Sequence, residues 1–273
     1  MSPEFLKILY LGLAADFRNH VDQLLIGIPI DMDAFAVIDN HTNNSPGYVM
    51  RAATNSTDMR LVGEHEWRNG LIRRQFINEN GSINETEAKS YVSLFDKSCR
   101  ILFALIHLSS GMSARATEIN EQRLCNGTSL RNIFFVDGRI MIITRYNKVN
   151  TVRGENTVIL RFLPVDISKV VALWIIIIRP FYSVLIGRLI GNDRRETALK
   201  YCYVKEGECF EDTDVRTCFE EATLKYPGKK GIFKLLMILT EQAKTVEPVE
   251  LIHAKMTVLR ISSLGTRARI PSS

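Results

Sequence analysis

Ile133-Phe134-Phe135-Val136-Asp137-Gly138-Arg139-Ile140-Met141-Ile142-Ile143-Thr144 is the stretch that decides the fold class. Two apolar, β-rich runs flank Asp137-Gly138, and Asp-Gly supplies the pair of positive φ angles that a two-residue type I′ turn requires. The stretch therefore predicts an antiparallel hairpin. Val158-Ile159-Leu160-Arg161-Phe162 predicts a third strand, stopped by Leu163-Pro164.

Working outward, the remaining strong patterns are helical. Leu6, Leu9, Leu13, Phe17, Val21 and Leu24 recur at three- and four-residue spacing within residues 1–30, which makes one apolar stripe rather than a cleavable leader. Ile28-Pro29 ends that pattern. Asn84 is placed to cap a long helix, with Glu85 and Glu87 in its first turn where the dipole favours negative charge. Val92, Phe95, Cys99, Leu102, Phe103 and Ile106 predict its buried face, and Gly111 its end. A further helix is expected from Ala114 to Leu124, and a short one from Trp67 to Phe76. Residues 38–60, rich in Asn, Ser, Thr and Asp, read as a loop or weakly ordered connector, and Asn78–Ser82 as a turn. The expected class is mainly α with a small antiparallel β-sheet (α+β). Three segments are expected: a helical N-terminal segment with polar loops (1–83), a core of helices and a three-stranded sheet (84–200), and a C-terminal region with a disordered tail (201–273).

Val170–Ile178 is intensely apolar and is interrupted by Arg179-Pro180. Its unbroken part is well short of the ~20 residues that cross a bilayer. It predicts a buried core helix ending at Pro180, capped by Asp166 or Ser168, and no membrane partner.

Hydrophobic residues make up 46% of the 273, enough for a packed core, and a formal charge of +5 permits an anionic partner without requiring one. The five cysteines, an odd number without regular spacing, exclude a disulfide framework. Cys202, Cys209 and Cys218 lack a close pair or a following histidine, so reduced thiols are expected and no metal. There is no Gly-x4-Gly-Lys loop, and no cofactor is expected.

Ser110-Gly-Met-Ser-Ala-Arg-Ala-Thr-Glu-Ile119 carries the chemistry. Arg115 offers a planar fork that grips two phosphate oxygens at once, and amides at a helix start add to the pull. Glu118, one turn on, can orient that guanidinium. Lys148, in Thr144-Arg-Tyr-Asn-Lys148 behind the hairpin, adds a second cation or a proton source for a leaving hydroxyl. Arg131, Arg145 and Arg153 are candidates for flanking DNA contacts. The bland alternative is a surface Arg–Glu helix pair, worth roughly 0.2–0.5 kcal/mol, beside an unrelated lysine.

The order Ser-Gly-x-x-Ala-Arg-x-Thr-Glu-Ile, hairpin, Thr-x-Tyr-x-Lys, strand, Arg161-Phe-Leu-Pro164, apolar helix, Arg179-Pro-Phe181 resembles a group of fungal proteins. These are the proteins linked to telomeric RecQ-type helicases and to Crypton-like mobile elements. Leu130-Arg-Asn-Ile-Phe134 is a further shared word, and the match runs from about Leu94 to Asn192. The core of that family is in turn similar to the tyrosine recombinase catalytic domain, in which an arginine opens a helix, an acid follows at plus three and a lysine sits at a strand turn. The resemblance implies that Arg115, Glu118 and Lys148 are the counterparts of those residues. It also implies duplex DNA as partner, nuclear localisation, and a second copy of the chain or a helicase-associated protein as further partners.

The departures set the expected activity. Family members commonly read Gly-Gln-Pro-Ala-Arg-Gly-Thr-Glu, where this chain has Ser113 and Ala116, and their Tyr-His-Lys is Tyr146-Asn147-Lys148 here. His253-Ala-Lys-Met256 has methionine where a second arginine belongs, and Tyr201, Tyr203 and Tyr226 precede any such motif. The expectation is a decayed or truncated recombinase core that binds the DNA backbone without cutting it. An active tyrosine recombinase, and a gene fragment or helical protein-interaction module without DNA activity, are the alternatives.

Overall fold

A computed structural model of the chain describes residues 3–28, 30–33, 35–52, 75–109, 122–146 and 157–226. Helix α1 is Pro3–Leu24 and α2 is Glu85–Ser109. The predicted stripe on α1 is buried from Leu9 through Leu24, and every residue expected on the inner face of α2 is buried. Asn84 Oδ1 accepts the Glu87 amide at 3.4 Å, the expected cap. The two helices pack along each other, and the Tyr91 hydroxyl donates to the Leu24 carbonyl at 3.0 Å, closing the end of α1.

Strands β1 (Val37–Ile38) and β2 (Arg51–Ala52) form a small antiparallel ladder. The polar stretch between them is a loop over its described residues, 39–50, and is held by hydrogen bonds. Asn126 bonds the Asn43 carbonyl through Nδ2 at 2.8 Å, and its backbone groups bond Gly47 and Tyr48.

The predicted sheet is present: β3 (Ile133–Val136), β4 (Arg139–Tyr146) and β5 (Thr157–Phe162) run antiparallel in that order. Asp137 (φ 49°) and Gly138 (φ 76°) make the turn, with the two positive angles that the Asp-Gly pair implied. The chain is thus mainly helical with small antiparallel sheets.

Val165–Leu173 and Arg179–Leu189 are α-helical and are joined by a π turn, Trp174–Ile178. They make one continuous helix, α3, Val165–Leu189. Pro180 does not end it, contrary to expectation. In a regular helix its ring would meet the Ile176 carbonyl and its missing N–H would leave an acceptor unfilled. The wider π turn just before it, in which the Arg179 amide bonds the Trp174 carbonyl, absorbs both problems. Neither Asp166 nor Ser168 caps the helix start. Ser168 lies inside the first turn, donates its hydroxyl to the Pro164 carbonyl at 2.8 Å and accepts the Ile140 amide at 3.0 Å, so it ties α3 to β4. Although α3 is long and apolar enough to cross a bilayer, 83% of its most apolar window is buried inside the fold.

Helix α4 (Asn192–Lys200) follows, then strands β6 (Val204–Lys205) and β7 (Glu208–Cys209), then α5 (Asp212–Lys225). Tyr203, Phe210 and Phe219 are buried around Phe103 of α2. Described residues from all three expected segments therefore share one core. The expected tail beyond Tyr226 lies outside the described residues. The helix expected over residues 114–124 is not helical in its described part: Arg123 forms a β-bridge with Tyr201.

At the centre of the core Phe95 lies stacked between Trp174 (4.8 Å) and Tyr182 (3.7 Å). The Arg179 guanidinium covers the Trp174 ring at 4.7 Å and donates to the carbonyls of Ala198, Tyr201 and Cys202, where α4 ends. The side chain is 2% exposed, and its charge meets the negative pole of α4 instead of a carboxylate. Nearby, the Asp96 carboxylate accepts the Tyr182 hydroxyl and the Glu206 amide, each at 3.1 Å. Burial nevertheless pushes this carboxyl up from 3.8 to about 7.

Arg179→Met leaves those carbonyls buried without donors, and urea unfolding should show a loss of about 3–5 kcal/mol. Asp96 gives a pH signature. Its native form binds more protons than its unfolded form between pH 3.8 and about 7. Its contribution to stability is therefore complete below that window and is lost as pH rises through it, by about 4 kcal/mol at most. Unfolding free energies measured across the window should fall more steeply for the native chain than for Asp96→Asn.

Candidate nucleic-acid interface

The sheet positions what is described of the candidate site. In the β4–β5 ladder Ile142 pairs with Arg161, Thr144 with Ile159, Arg145 with Val158 and Tyr146 with Thr157. One face turns inward: Ile133, Ile140, Ile142 and Thr144 are buried on it, and Arg161, also buried, donates to the Thr144 hydroxyl across the strands. The opposite face leaves Leu160 and Phe162 exposed.

Arg131, expected as a flanking DNA contact, is instead an internal fastener. Its side chain is 1% exposed and pairs with Asp39, itself fully buried, through Nη2–Oδ1 at 2.6 Å and Nη1–Oδ2 at 2.9 Å. It also donates to the carbonyls of Ile133 and Asn40, and lies over the rings of Phe134 (4.3 Å) and Tyr48 (5.0 Å). Asp39 Oδ2 further accepts the Phe135 amide at 2.8 Å. This planar, two-pronged pairing is what the guanidinium does best, turned here on a protein carboxylate in place of a phosphate.

Asn132, the next residue, joins two more parts of the chain. Its Oδ1 accepts the Arg123 amide at 2.6 Å, its amide donates to the Arg123 carbonyl, and its own carbonyl accepts the Ile143 amide of β4 at 2.8 Å. Arg115 and Glu118 lie outside the described residues, in the segment that precedes Gln122 and Arg123. Lys148 and Arg153 also lie outside them, in the connection between β4 and β5. The backbone of Arg145 is in the ladder, but its side chain lies outside the described structure. The described flanks of the Arg115 segment and of the Lys148 connection are thus hydrogen-bonded to one residue, Asn132. Lys148 follows Ile143, and Glu118 precedes Arg123, by spans that reach at most about 18 Å when fully extended.

The tyrosines bear on cleavage. Tyr182 donates to Asp96, Tyr91 to a carbonyl, Tyr10 to Asp166 and Tyr226 to Asp16, while Tyr203 is 2% exposed. Burial raises the phenols of all five, away from the ionised form that attacks phosphorus. Tyr201 lies under the Arg123 guanidinium, 5.1 Å from its ring centre. Burial likewise raises the thiols of Cys99, to about 12, and Cys202, to about 11.

No protein-family model and no solved structure matches the chain.

By residue type alone Arg131 reads as a phosphate contact. Nothing local marks it as structural, because two residues before β3 a side chain turns inward as readily as outward. Arg131→Ala leaves Asp39 a buried, unpaired charge and should cost about 3–5 kcal/mol. Arg131→Met with Asp39→Leu should recover much of that loss. A double-mutant cycle of thermal unfolding measures both.

Proposed function

We propose that the chain binds the backbone of duplex DNA as a tyrosine-recombinase-like core, without cutting it. Arg115 and Lys148 contact phosphate, and Glu118 orients Arg115. Arg145 and Arg153 are the remaining flanking cations, since Arg131 is committed to Asp39. The observation that carries the reading is the Asn132 bridge, which joins Arg123, shortly after the Arg115 segment in sequence, to Ile143 on the strand that precedes Lys148. The same order of helix, three-stranded sheet and apolar helix supports it. A phosphodiester suits this pair of side chains, since its charge is spread over oxygens that a guanidinium and an ammonium can share.

The absence of cleavage is supported by the tyrosines: those with raised phenols are engaged or buried, and no second arginine motif follows in the sequence. The chain then acts by occupying DNA, in the nucleus, alone or with a second copy or a helicase-associated partner.

Fluorescence anisotropy on a labelled duplex over a range of salt concentrations tests this. Affinity should fall steeply with salt, and Arg115→Ala or Lys148→Ala should each lower the slope of log K against log salt by about 1. Undetectable binding at low salt, or slopes unchanged in both variants, defeats the proposal. A covalent protein–DNA adduct on a nicked duplex would replace it with the active recombinase.

A further inference from the structure

Three helices meet at a cleft away from the sheet. Helical spacing puts Leu13, Asp16 and His20 on one side of α1, Lys97, Arg100 and Ile101 on one side of α2, and Cys218, Glu221, Ala222 and Lys225 on one side of α5. These three faces and Tyr226 line a cavity of about 290 Å³. Leu13, Ile101 and Ala222 give it an apolar floor, and the charged side chains form its rim.

The rim has more cations than anions, and both of its carboxylates are already engaged. Asp16 Oδ2 accepts Lys225 Nζ at 2.6 Å and the Tyr226 hydroxyl. Glu221 Oε2 accepts Arg100 Nε at 2.9 Å. His20 Nδ1 is 2.8 Å from the Asp16 carbonyl, so it donates there and leaves Nε2 unengaged. Arg100 spends only Nε on Glu221. Its two Nη groups have no hydrogen-bond partner among the described residues, although its side chain is only 18% exposed. They are not among the fully enclosed unpartnered atoms, so they open onto solvent-accessible space. Lys97, one turn earlier on the same face, has no ion pair among the described residues. Seven N–H bonds, three from the ammonium and four from the two Nη groups, therefore lack protein acceptors beside an apolar floor.

Tyr226 closes one end of the cleft over Gly12, where any Cβ would overlap its ring. Glycine at position 12 therefore makes room for the Tyr226 ring that lines the cleft.

We infer that the α1–α2–α5 cleft binds a small phosphomonoester, with its phosphate on Lys97 and Arg100 and its apolar body on Leu13, Ile101 and Ala222. A phosphate brings three acceptor oxygens and close to two negative charges, which fill the open fork of Arg100 and the ammonium of Lys97 together. A neutral ligand leaves those donors as they are. None of the residues proposed for DNA contact lines this cleft, and the inference does not depend on them.

Isothermal titration of the full chain with 1-naphthyl phosphate tests the assignment, with 1-naphthol and inorganic phosphate as the half-ligands. One molecule should bind, and each half-ligand should bind about tenfold more weakly or worse. Lys97→Glu, which breaks no bond of the fold, should weaken 1-naphthyl phosphate by about tenfold with the melting temperature unchanged. Lys89→Glu, elsewhere on α2, should leave binding as it is. The inference is overturned by an absence of heat up to millimolar ligand, by naphthol binding as tightly as its phosphate, or by Lys97→Glu behaving like Lys89→Glu. Displacement of the probe by duplex DNA would also overturn it, because the cleft would then belong to the backbone contact.

Discussion

A buried guanidinium holds the centre of this protein together. Arg179 sits against the Trp174 ring and donates to the carbonyls of Ala198, Tyr201 and Cys202. Those carbonyls mark the point where α4 stops and the chain turns toward β6. Without that cation, the last turn of α4 would bury acceptors that no other described group fills, and such groups are costly in a dry interior. The π turn before Pro180 makes the placement achievable, because it lets α3 run through a proline that would otherwise break it. Around this centre, Phe95 stacks on both Trp174 and Tyr182, so α2 and α3 share one aromatic column.

A second arginine does the same work at the edge. Arg131 locks Asp39 and the loop that follows it onto β3, and Asn132 carries the connection on to Arg123 and β4. Leu130-Arg-Asn-Ile-Phe134 is thus a clamp more than a contact surface. Arg161 is the third arginine turned inward, onto Thr144. Three of the described positive side chains thus serve the interior, as do the acidic side chains of Asp39 and Asp96. Among the described residues, Lys97 and Arg100 of the α1–α2–α5 cleft are cations that the interior does not absorb, and they face a cavity sized for a small ligand.

Much of the fold was legible because its strongest signals are local. Asp137-Gly138 demands positive φ and so specifies the hairpin on its own. The α1 stripe and the Asn84 start of α2 are likewise read from neighbours three and four residues away. The second small hairpin was not legible. Its turn, Glu206-Gly207, also takes positive φ at both residues, but glutamate is not a favoured first residue there. The conformation is imposed by Asp96 on the Glu206 amide and by the Tyr182 hydroxyl on the Gly207 amide.

By itself, then, the sequence determined the elements whose causes lie within a turn or two of chain: the apolar stripes, the cap, the Asp-Gly hairpin and the presence of candidate phosphate-binding cations. Only the tertiary structure decided where the arginines point, whether Pro180 ends a helix, and which charges remain unpaired. The arginine outcomes depend on partners elsewhere in the chain, Asp39 for Arg131, the end of α4 for Arg179 and Glu221 for Arg100, whereas Pro180 depends on the π turn beside it. Charge and residue type are carried by one position, but whether a charge is neutralised is a property of two positions brought together by folding.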